Sequence, residues 1–301
     1  MNAFITGGSG LIGQALTQEL VQNGYRVTVL SRDPRKVKLA PSVNAICWDI
    51  NNIEPWWQSF EEADVVINLA GENISKGRWT EKKKNLISTS RVKAGEALVK
   101  AIQRTTHKPA VFIQASGIGF YGTSQTEKFT ETSPPGYDYF SQVAVAWEKS
   151  TLPIEEMGIR RLIIRNGLVL SMNGGVLPKL ILPIRLYAGG TLGSGTQYYS
   201  WIHIKDHVRA IRFLIETPSA HGVFNLTAPH PVPMRVLGEM IAKKLHRPYW
   251  FPIPAFLLRF ILGEMSMLIL QGQFVVPQRL QELGFQYEFP SLEDALNDLM
   301  N

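Results

Sequence analysis

Three glycines stand at three-residue intervals in a turn near the start of the chain. Gly7, Gly10 and Gly13 follow a short apolar run that ends at Thr6, and a helical pattern begins at Leu11. In that context glycine permits a tight turn, a close approach of backbone to phosphate and close packing of helix on strand. The N–H groups and the positive dipole end of the helix then face an anion. The pattern predicts a pyrophosphate cradle; the alternative interpretation is an ordinary glycine turn. The residues expected to contact the ligand are Gly7, Ser9, Gly10, Leu11, Ile12 and Gly13.

The polar residues after the second candidate strand would meet the adenosine ribose of a dinucleotide. A carboxylate there accepts a hydrogen bond from a 2′-hydroxyl and favours NAD, whereas an arginine matches a 2′-phosphate. Arg32 stands in this place and Ser31 offers a further hydroxyl contact, so the sequence predicts NADP(H). Two alternatives stay open. Arg32 and its basic neighbours could form a solvated turn, or Asp33 could face the ribose and weaken the preference.

Apolar, β-rich runs alternate with longer helical patterns through the first half of the chain. The candidate strands are Ala3–Thr6, Arg26–Leu30, Ala45–Trp48, Val65–Leu69, Val111–Ala115 and Arg161–Arg165. The candidate helices are Leu11–Asn23, Pro55–Glu61, Glu81–Thr105 and Phe140–Met157. Continuously apolar strands that alternate with helices indicate a parallel sheet covered on both faces. We therefore expect an α/β fold, a Rossmann-type doubly wound parallel sheet with a small, mainly helical C-terminal part.

The domain organisation is less regular in the second half. Residues 1–220 are expected to form one nucleotide-binding domain, which includes an excursion over residues 166–201. That excursion is rich in glycine and leucine, and its large apolar side chains argue against a linker. Asp206 is predicted to cap a helix that runs through Val208–Glu216, and a further strand is expected at Val223–Leu226.

Bulk properties exclude several classes of protein. The chain of 301 residues has a net charge of +6, but its basic residues are scattered, so no nucleic-acid partner is expected. The single cysteine excludes an intrachain disulfide and fits a reducing compartment.

The first strand begins too close to Met1 for a signal peptide, so we expect a cytoplasmic protein. The apolar segment Ile253–Gln271 is interrupted by charges; we expect helices packed on the main domain and no membrane partner, with a membrane-surface role as the alternative.

These motifs together resemble the extended short-chain dehydrogenase/reductase superfamily, in its NAD(P)-dependent epimerase/dehydratase type. The matching segments are Thr6–Gly13, Asn68–Gly71, Ala115–Gly117, Phe120–Gly122 and Trp201–Val208. The chain is most similar to an atypical subgroup labelled "epimerase family protein", through Gly71–Ile74, Arg78–Thr80, Ser90-Arg91, Leu192–Gly195 and Ser200–Ile204. The resemblance implies cofactor contacts at Leu69, Ala70 and Gly71. It also implies a C-terminal domain of unknown function over residues 248–295.

The resemblance implies a serine, a tyrosine and a lysine as catalytic residues, with the lysine four positions after the tyrosine on one helix face. Tyr139 is the first candidate for general acid/base, yet Val143 stands where the lysine is expected. An unassisted tyrosine has a pKa near 10 and is a poor base at neutral pH. Ser116 fits a carbonyl-polarising role or, alternatively, a cap on its strand. Tyr121 is a second candidate acid/base or a wall beside the nicotinamide.

Arg91 lies on the helix that borders the nicotinamide half of the cofactor in this architecture. It is predicted to contact a cofactor phosphate or an anionic substrate, with a surface ion pair as the alternative. His203 and His207 have a helical ligand spacing, but with no third ligand nearby we expect no metal. By analogy, the Glu81–Thr105 and Phe140–Met157 helices could form a homodimer interface.

The resulting hypothesis is an NADP(H)-binding oxidoreductase or epimerase that acts on a small carbonyl or sugar-like substrate of unknown identity. Whether the chain is an enzyme stays open, because the Tyr-x-x-x-Lys motif is not intact. One alternative is a non-catalytic NADPH-binding or sensing protein. A second is an unorthodox epimerase whose base is Glu72 or His203.

Overall fold

Short strands follow one another along the chain. The computed structural model describes residues 1–36, 42–75 and 77–301. The strands of these residues are β1 (Asn2–Thr6), β2 (Arg26–Ser31), β3 (Asn44–Cys47), β4 (Val65–Asn68), β5 (Val111–Gly117), β6 (Lys128–Phe129), β7 (Arg160–Asn166), β8 (Leu168–Leu170), β9 (Tyr198–Tyr199), β10 (Trp201–His203), β11 (Gly222–Leu226), β12 (Val232–Pro233) and β13 (Phe274–Val275).

Helices separate these strands. They are α1 (Leu11–Gln22), α2 (Glu81–Arg104), α3 (Tyr139–Lys149), α4 (Pro153–Glu156), α5 (Leu177–Arg185), α6 (Ile204–Glu216), α7 (Met234–Lys244), α8 (Ala255–Leu262), α9 (Met267–Leu270), α10 (Gln278–Glu282) and α11 (Leu292–Leu299). Four 3₁₀ turns lie at Pro34–Lys36, Trp57–Glu62, Ile118–Tyr121 and Gly263–Ser266.

Seven strands form one parallel sheet in the order β11-β7-β5-β4-β1-β2-β3. One core cluster joins this sheet to α1 and α6, and a second packs α2 on the opposite face. The strand order reverses between β1 and β4, and an open α/β sheet binds its ligand at such a switch point. The prediction of a Rossmann-type doubly wound sheet with a helical C-terminal part is confirmed.

Several local expectations differ from the structure. The predicted helix Phe140–Met157 is interrupted at Ser150 and becomes α3 and α4, with a proline at the first position of the second helix. Asp206 does not cap α6, because the helix begins earlier and the His203 ring accepts the Lys205 N–H at 3.0 Å. The Asp206 carboxylate instead accepts backbone N–H groups from Glu288 and Phe289 at 2.9 and 2.8 Å, tying the C-terminal part to α6.

The last fifty residues return to the main body. β13 pairs with β6, and α10 lies against the edge strand β11. The helix α11 packs against α7 in a third core cluster that includes α5. Among the residues that the structure describes, every helix is too short or too polar to cross a lipid bilayer.

Candidate functional site

The three turn glycines have different surroundings. Gly7 has a φ of +71°, and a Cβ there would lie 2.8 Å from the Leu69 carbonyl. A Cβ on Gly13 would lie 2.4 Å from the Gly7 oxygen, because the helix packs directly on the turn. At Gly10 a Cβ would meet only the Gly7 oxygen, at 3.3 Å. The first two glycines are therefore required by the fold itself, whereas the outward side of Gly10 is open.

The N-terminus of α1 has the free donors that an anion needs. Gly10 is its N-cap, with no side-chain cap, and the first turn contains no acidic residue. The Gly10 N–H closes the turn on the Gly7 oxygen at 3.0 Å. The first N–H groups of a helix have no partner within it, so those of Leu11 and Ile12 can face a phosphate.

The end of β2 presents an arginine beside this turn. Thr6 and Leu30 are partners in the β1–β2 register, so the residues after Leu30 lie next to the glycine turn. Arg32 is exposed, and within the described residues its side chain has no hydrogen bond or ion pair. The Asp33 carboxylate is held by Arg35 Nε at 3.2 Å. Within the described residues, the Asp33 carboxylate is thus engaged, whereas the Arg32 side chain remains available to a ligand.

A row of buried polar side chains crosses the carboxyl ends of three neighbouring strands. Thr6 Oγ1 donates to Asn68 Oδ1 at 2.7 Å, and Asn68 Nδ2 donates to Gln114 Oε1 at 3.0 Å. These bonds cross β1, β4 and β5 at one level of the sheet. Asn68 Oδ1 also accepts the Ala70 N–H at 3.3 Å, which fixes the backbone of the predicted Leu69–Gly71 contact segment.

Arg91 lies beside that segment, and within the described residues no carboxylate forms an ion pair with it. Its Nη1 donates to the carbonyls of Glu72 at 3.1 Å and Ile87 at 2.9 Å, and its guanidinium is 4.9 Å from the Trp147 ring centroid. A Cβ on Gly71 would lie 3.0 Å from its Cζ. Burial lowers the pKa of Arg91 to about 10, against the charges of Tyr139 and Glu72. Since no described carboxylate lies within ion-pair distance, the alternative of a surface ion pair finds no partner here.

Ser116 is buried and faces a carboxylate rather than the crevice. Its Oγ donates to Glu148 Oε1 at 2.7 Å, and Arg165 binds both oxygens of that carboxylate at 2.9 Å. The three side chains have small exposed fractions of 3%, 7% and 3%. The hydroxyl therefore satisfies a buried ion pair between α3 and β7, a role that neither sequence interpretation of Ser116 included.

Tyr121 belongs to the same buried network. Its hydroxyl donates to Asn225 Oδ1 at 2.7 Å and accepts from Arg165 Nη1 at 3.0 Å. Burial raises the pKa of Tyr121, and the Arg165 charge opposes this. Sequence reasoning missed Glu148, Arg165 and Asn225. The available signal was an arginine directly after the apolar run Leu162–Ile164 of a predicted buried strand, since buried charges are normally paired.

Tyr139 has its hydroxyl bound to another helix. The hydroxyl donates to the Lys84 carbonyl at 2.7 Å, joining α3 to α2. Burial raises the pKa of Tyr139, with Arg91 and Lys84 acting in the opposite direction. Val143, at the expected place of the lysine, is buried in an apolar cluster with Trp79. Val143 therefore contributes hydrophobic packing, and no charge, beside Tyr139.

The other candidate bases also have structural partners. Glu72 pairs with Lys83. His203 is fully buried and stacks on Phe289, with ring centroids 3.9 Å apart. His207 Nε2 lies 2.8 Å from Asn166 Oδ1, and burial lowers its pKa to about 3. Within the described ranges no three potential ligands converge on a metal position.

Comparisons with known proteins assign the chain to a family. A profile of the NAD dependent epimerase/dehydratase family matches residues 3–227, and a profile of a domain of unknown function, DUF1731, matches residues 253–299. The chain is 42% identical over 301 residues to Epimerase family protein YfhF of Bacillus subtilis, covering 100% of this chain and 98% of that protein. It is 40% identical over 301 residues to Epimerase family protein SSP1921 of Staphylococcus saprophyticus, with 99% of each covered.

A solved structure extends the likeness to three dimensions. Human epimerase family protein SDR39U1 (isoform 2), crystallised with NADPH, superposes with a TM-score of 0.88 at 32% identity, and 99% of each chain is covered. The resemblance drawn from the sequence motifs is thus confirmed. The chain belongs to the NAD dependent epimerase/dehydratase family, in the group of epimerase family proteins that carry a C-terminal DUF1731 domain.

Proposed function

We propose that this chain binds NADP(H) across the carboxyl edge of its parallel sheet and holds it without the tyrosine–lysine proton transfer of related folds. The observation that carries the binding is the uncapped N-terminus of α1 next to the open side of Gly10. Support for the 2′-phosphate comes from the free Arg32 side chain and from the human relative crystallised with NADPH. We infer the absence of tyrosine–lysine proton transfer from two observations: Val143 stands in place of the lysine, and the Tyr139 hydroxyl donates to the Lys84 carbonyl.

Each part of the cofactor has a set of residues that fits it. Ser31 and Arg32 would hold the adenosine end. The backbone of Gly7, Ser9, Gly10, Leu11, Ile12 and Gly13 would surround the pyrophosphate. Leu69, Ala70, Gly71 and Arg91 would border the nicotinamide half. When bound, the nicotinamide supplies or accepts a hydride.

A second candidate function is reductase or epimerase chemistry on a small carbonyl or sugar-like substrate. Arg91 favours it, because an unpaired guanidinium beside the crevice is suited to an anionic group on a substrate. In this function Ser116 would polarise a carbonyl and Tyr139 would supply the proton, as the sequence predicts. Both hydroxyls would first have to leave their present acceptors, Glu148 and the Lys84 carbonyl.

Turnover measurements separate the two candidates. Purified protein is mixed with NADPH and a panel of aldehydes, ketones and keto sugars, and NADPH absorbance is followed. Our proposal predicts saturable NADPH binding with no oxidation above background. Oxidation that Tyr139→Phe or Ser116→Ala abolishes would contradict it and support the second candidate. Deuterium incorporation from solvent without net cofactor consumption would also contradict our proposal, and it would indicate epimerase activity.

A further inference from the structure

A large apolar surface lies on the C-terminal side of the molecule, outside the cofactor site. We call it the α8 patch, and it consists of Leu186, Trp250, Phe251, Phe256, Phe260 and Ile261. The exposed fraction is 81% for Phe260, 72% for Phe256 and 68% for Trp250. Soluble monomers rarely expose so many large apolar side chains together, and such a patch marks an interaction site.

The members of the α8 patch are neighbours in space. Trp250 Nε1 donates to the Tyr187 carbonyl at 3.1 Å, just after α5. The Phe251 N–H donates to Gly189 at 3.1 Å, which places the start of the C-terminal segment against the end of α5. Phe256 and Phe260 are four residues apart on α8 and therefore share a face. The segment that leads into α8 therefore contacts the end of α5, and α8 begins four residues after Phe251.

The fold holds α8 firmly while leaving this face uncovered. Arg78 Nη2 donates to the carbonyls of Phe260 at 3.2 Å and Ile261 at 2.8 Å, at the C-terminal end of α8. Leu258, on the opposite side of the helix, is buried. The outward aromatic rings are therefore presented by an anchored helix.

Unpaired arginines accompany the patch. Arg185 lies in the last turn of α5, Arg259 is exposed on α8, and the Arg247 guanidinium is 4.6 Å from the Tyr187 ring centroid. None of the three has a carboxylate within ion-pair distance in the part of the chain that the structure describes. Glu264, after α8, is engaged by Lys84 at 3.1 Å. The patch is thus apolar and aromatic, and positively charged arginine side chains lie around it.

We propose that the α8 patch binds the surface of an anionic phospholipid bilayer. Aromatic rings settle at the level of the headgroups, and arginines bind lipid phosphates. A second copy of this chain fits less well, because a two-fold interface would bring the same arginines of both copies together. The proposal takes up the membrane-surface alternative for Ile253–Gln271 and replaces the expectation of no membrane partner.

Vesicle co-sedimentation of the full chain tests this proposal. The probes are vesicles of phosphatidylglycerol and phosphatidylcholine, with pure phosphatidylcholine for comparison. We expect binding to the anionic vesicles that weakens with added salt. The double variant Phe256→Ser/Phe260→Ser should lose roughly tenfold or more in partitioning. Arg259→Glu should lose roughly fivefold or more on the anionic vesicles alone.

A matched control keeps the test specific. Tyr137→Ser/Leu152→Ser removes two exposed apolar side chains elsewhere, at 95% and 47% exposure, and should bind vesicles as the wild type does. Absence of wild-type binding to anionic vesicles would overturn the proposal. A dimer seen by light scattering that the α8 double variant abolishes, without vesicle binding, would also overturn it. NADPH affinity should be unchanged in every variant, so failure here is distinct from failure of the cofactor assignment.

Discussion

At the scale of single residues, the three glycines of the turn differ in whether folding or ligand binding requires them. Gly7 and Gly13 are glycines because neighbouring backbone atoms leave no space for a Cβ. A Cβ on Gly10 would make one tight contact, 3.3 Å from the Gly7 oxygen, so the fold requires glycine there less strictly. A ligand phosphate that must approach the backbone does require it. The open side of Gly10 is therefore the most specific mark of a cofactor in the turn.

Replacing Gly10 by alanine should weaken NADPH binding by roughly tenfold or more, because the added methyl lies where the phosphate approaches. The free energy of unfolding should fall by about 1 kcal/mol, because alanine is a poorer N-cap than glycine, and the protein should stay folded. Fluorescence titration with NADPH and a thermal melt measure the two effects. Gln18→Ala, on an exposed position of α1, is the matched control. Wild-type NADPH affinity in the Gly10 variant would contradict this assignment.

The sequence predicts some residues of the site well and others not at all. The glycine turn and Arg32 are recognisable because their roles depend on neighbours within a few positions. The Glu148–Arg165 pair could not be assigned, because it joins α3 to β7 and exists only once the sheet has formed. That pair also changes the interpretation of Ser116, because its hydroxyl donates a hydrogen bond to the buried Glu148 carboxylate. Removing either charge alone would leave the other uncompensated in the interior, and we expect such a variant to lose about 3–5 kcal/mol of stability.

At the scale of elements, α6 is fixed to the sheet end by two buried histidines. His203 caps the helix, and His207 lies 2.8 Å from Asn166 at the end of β7. Asn166 in turn donates to the Ser116 carbonyl at 3.1 Å on β5. The sequence predicts this helix with a start at Val208, four residues after the observed start at Ile204, because Asp206 is a typical cap residue whereas a histidine ring seldom fills that role.

The buried His207 makes stability depend on pH. Burial lowers its pKa to about 3, whereas histidine in the unfolded chain titrates near 6.5. Between these values the unfolded chain binds a proton that the folded chain does not, so stability falls as the pH decreases below about 6.5. The loss from this residue is about 2 kcal/mol at pH 5.

Urea unfolding at pH 7 and pH 5 measures this loss. His207→Gln keeps a donor toward Asn166 but cannot titrate, so its stability should fall much less over the same interval. Burial also lowers the pKa of His203, and the Asp298 charge opposes this. The stability of the His207→Gln variant should therefore still depend weakly on pH. Equal pH dependence in the wild type and the variant would show that His207 does not carry the effect.

At the scale of the whole molecule, the strand order places every predicted cofactor segment at one edge. The ends of β1, β2 and β4 are adjacent in register, so the glycine turn, Arg32 and Leu69–Gly71 surround one crevice. The alternation of strands and helices was enough to predict this sheet. The attachment of the C-terminal part was not predictable, because it rests on long-range bonds such as those of Asp206 and on the β13–β6 pair. Dimerisation through α2 and α3 stays a prediction.

The most direct test of the account is the ratio of NADPH to NADH affinity, measured by titration on the wild type and on Arg32→Asp. A charge-assisted contact between Arg32 and the 2′-phosphate predicts that the wild type binds NADPH roughly tenfold or more tightly than NADH. The variant should lose that preference while keeping the pyrophosphate site. Equal affinities in the wild type, or an unchanged NADPH titration in Arg32→Asp, would contradict the central claim.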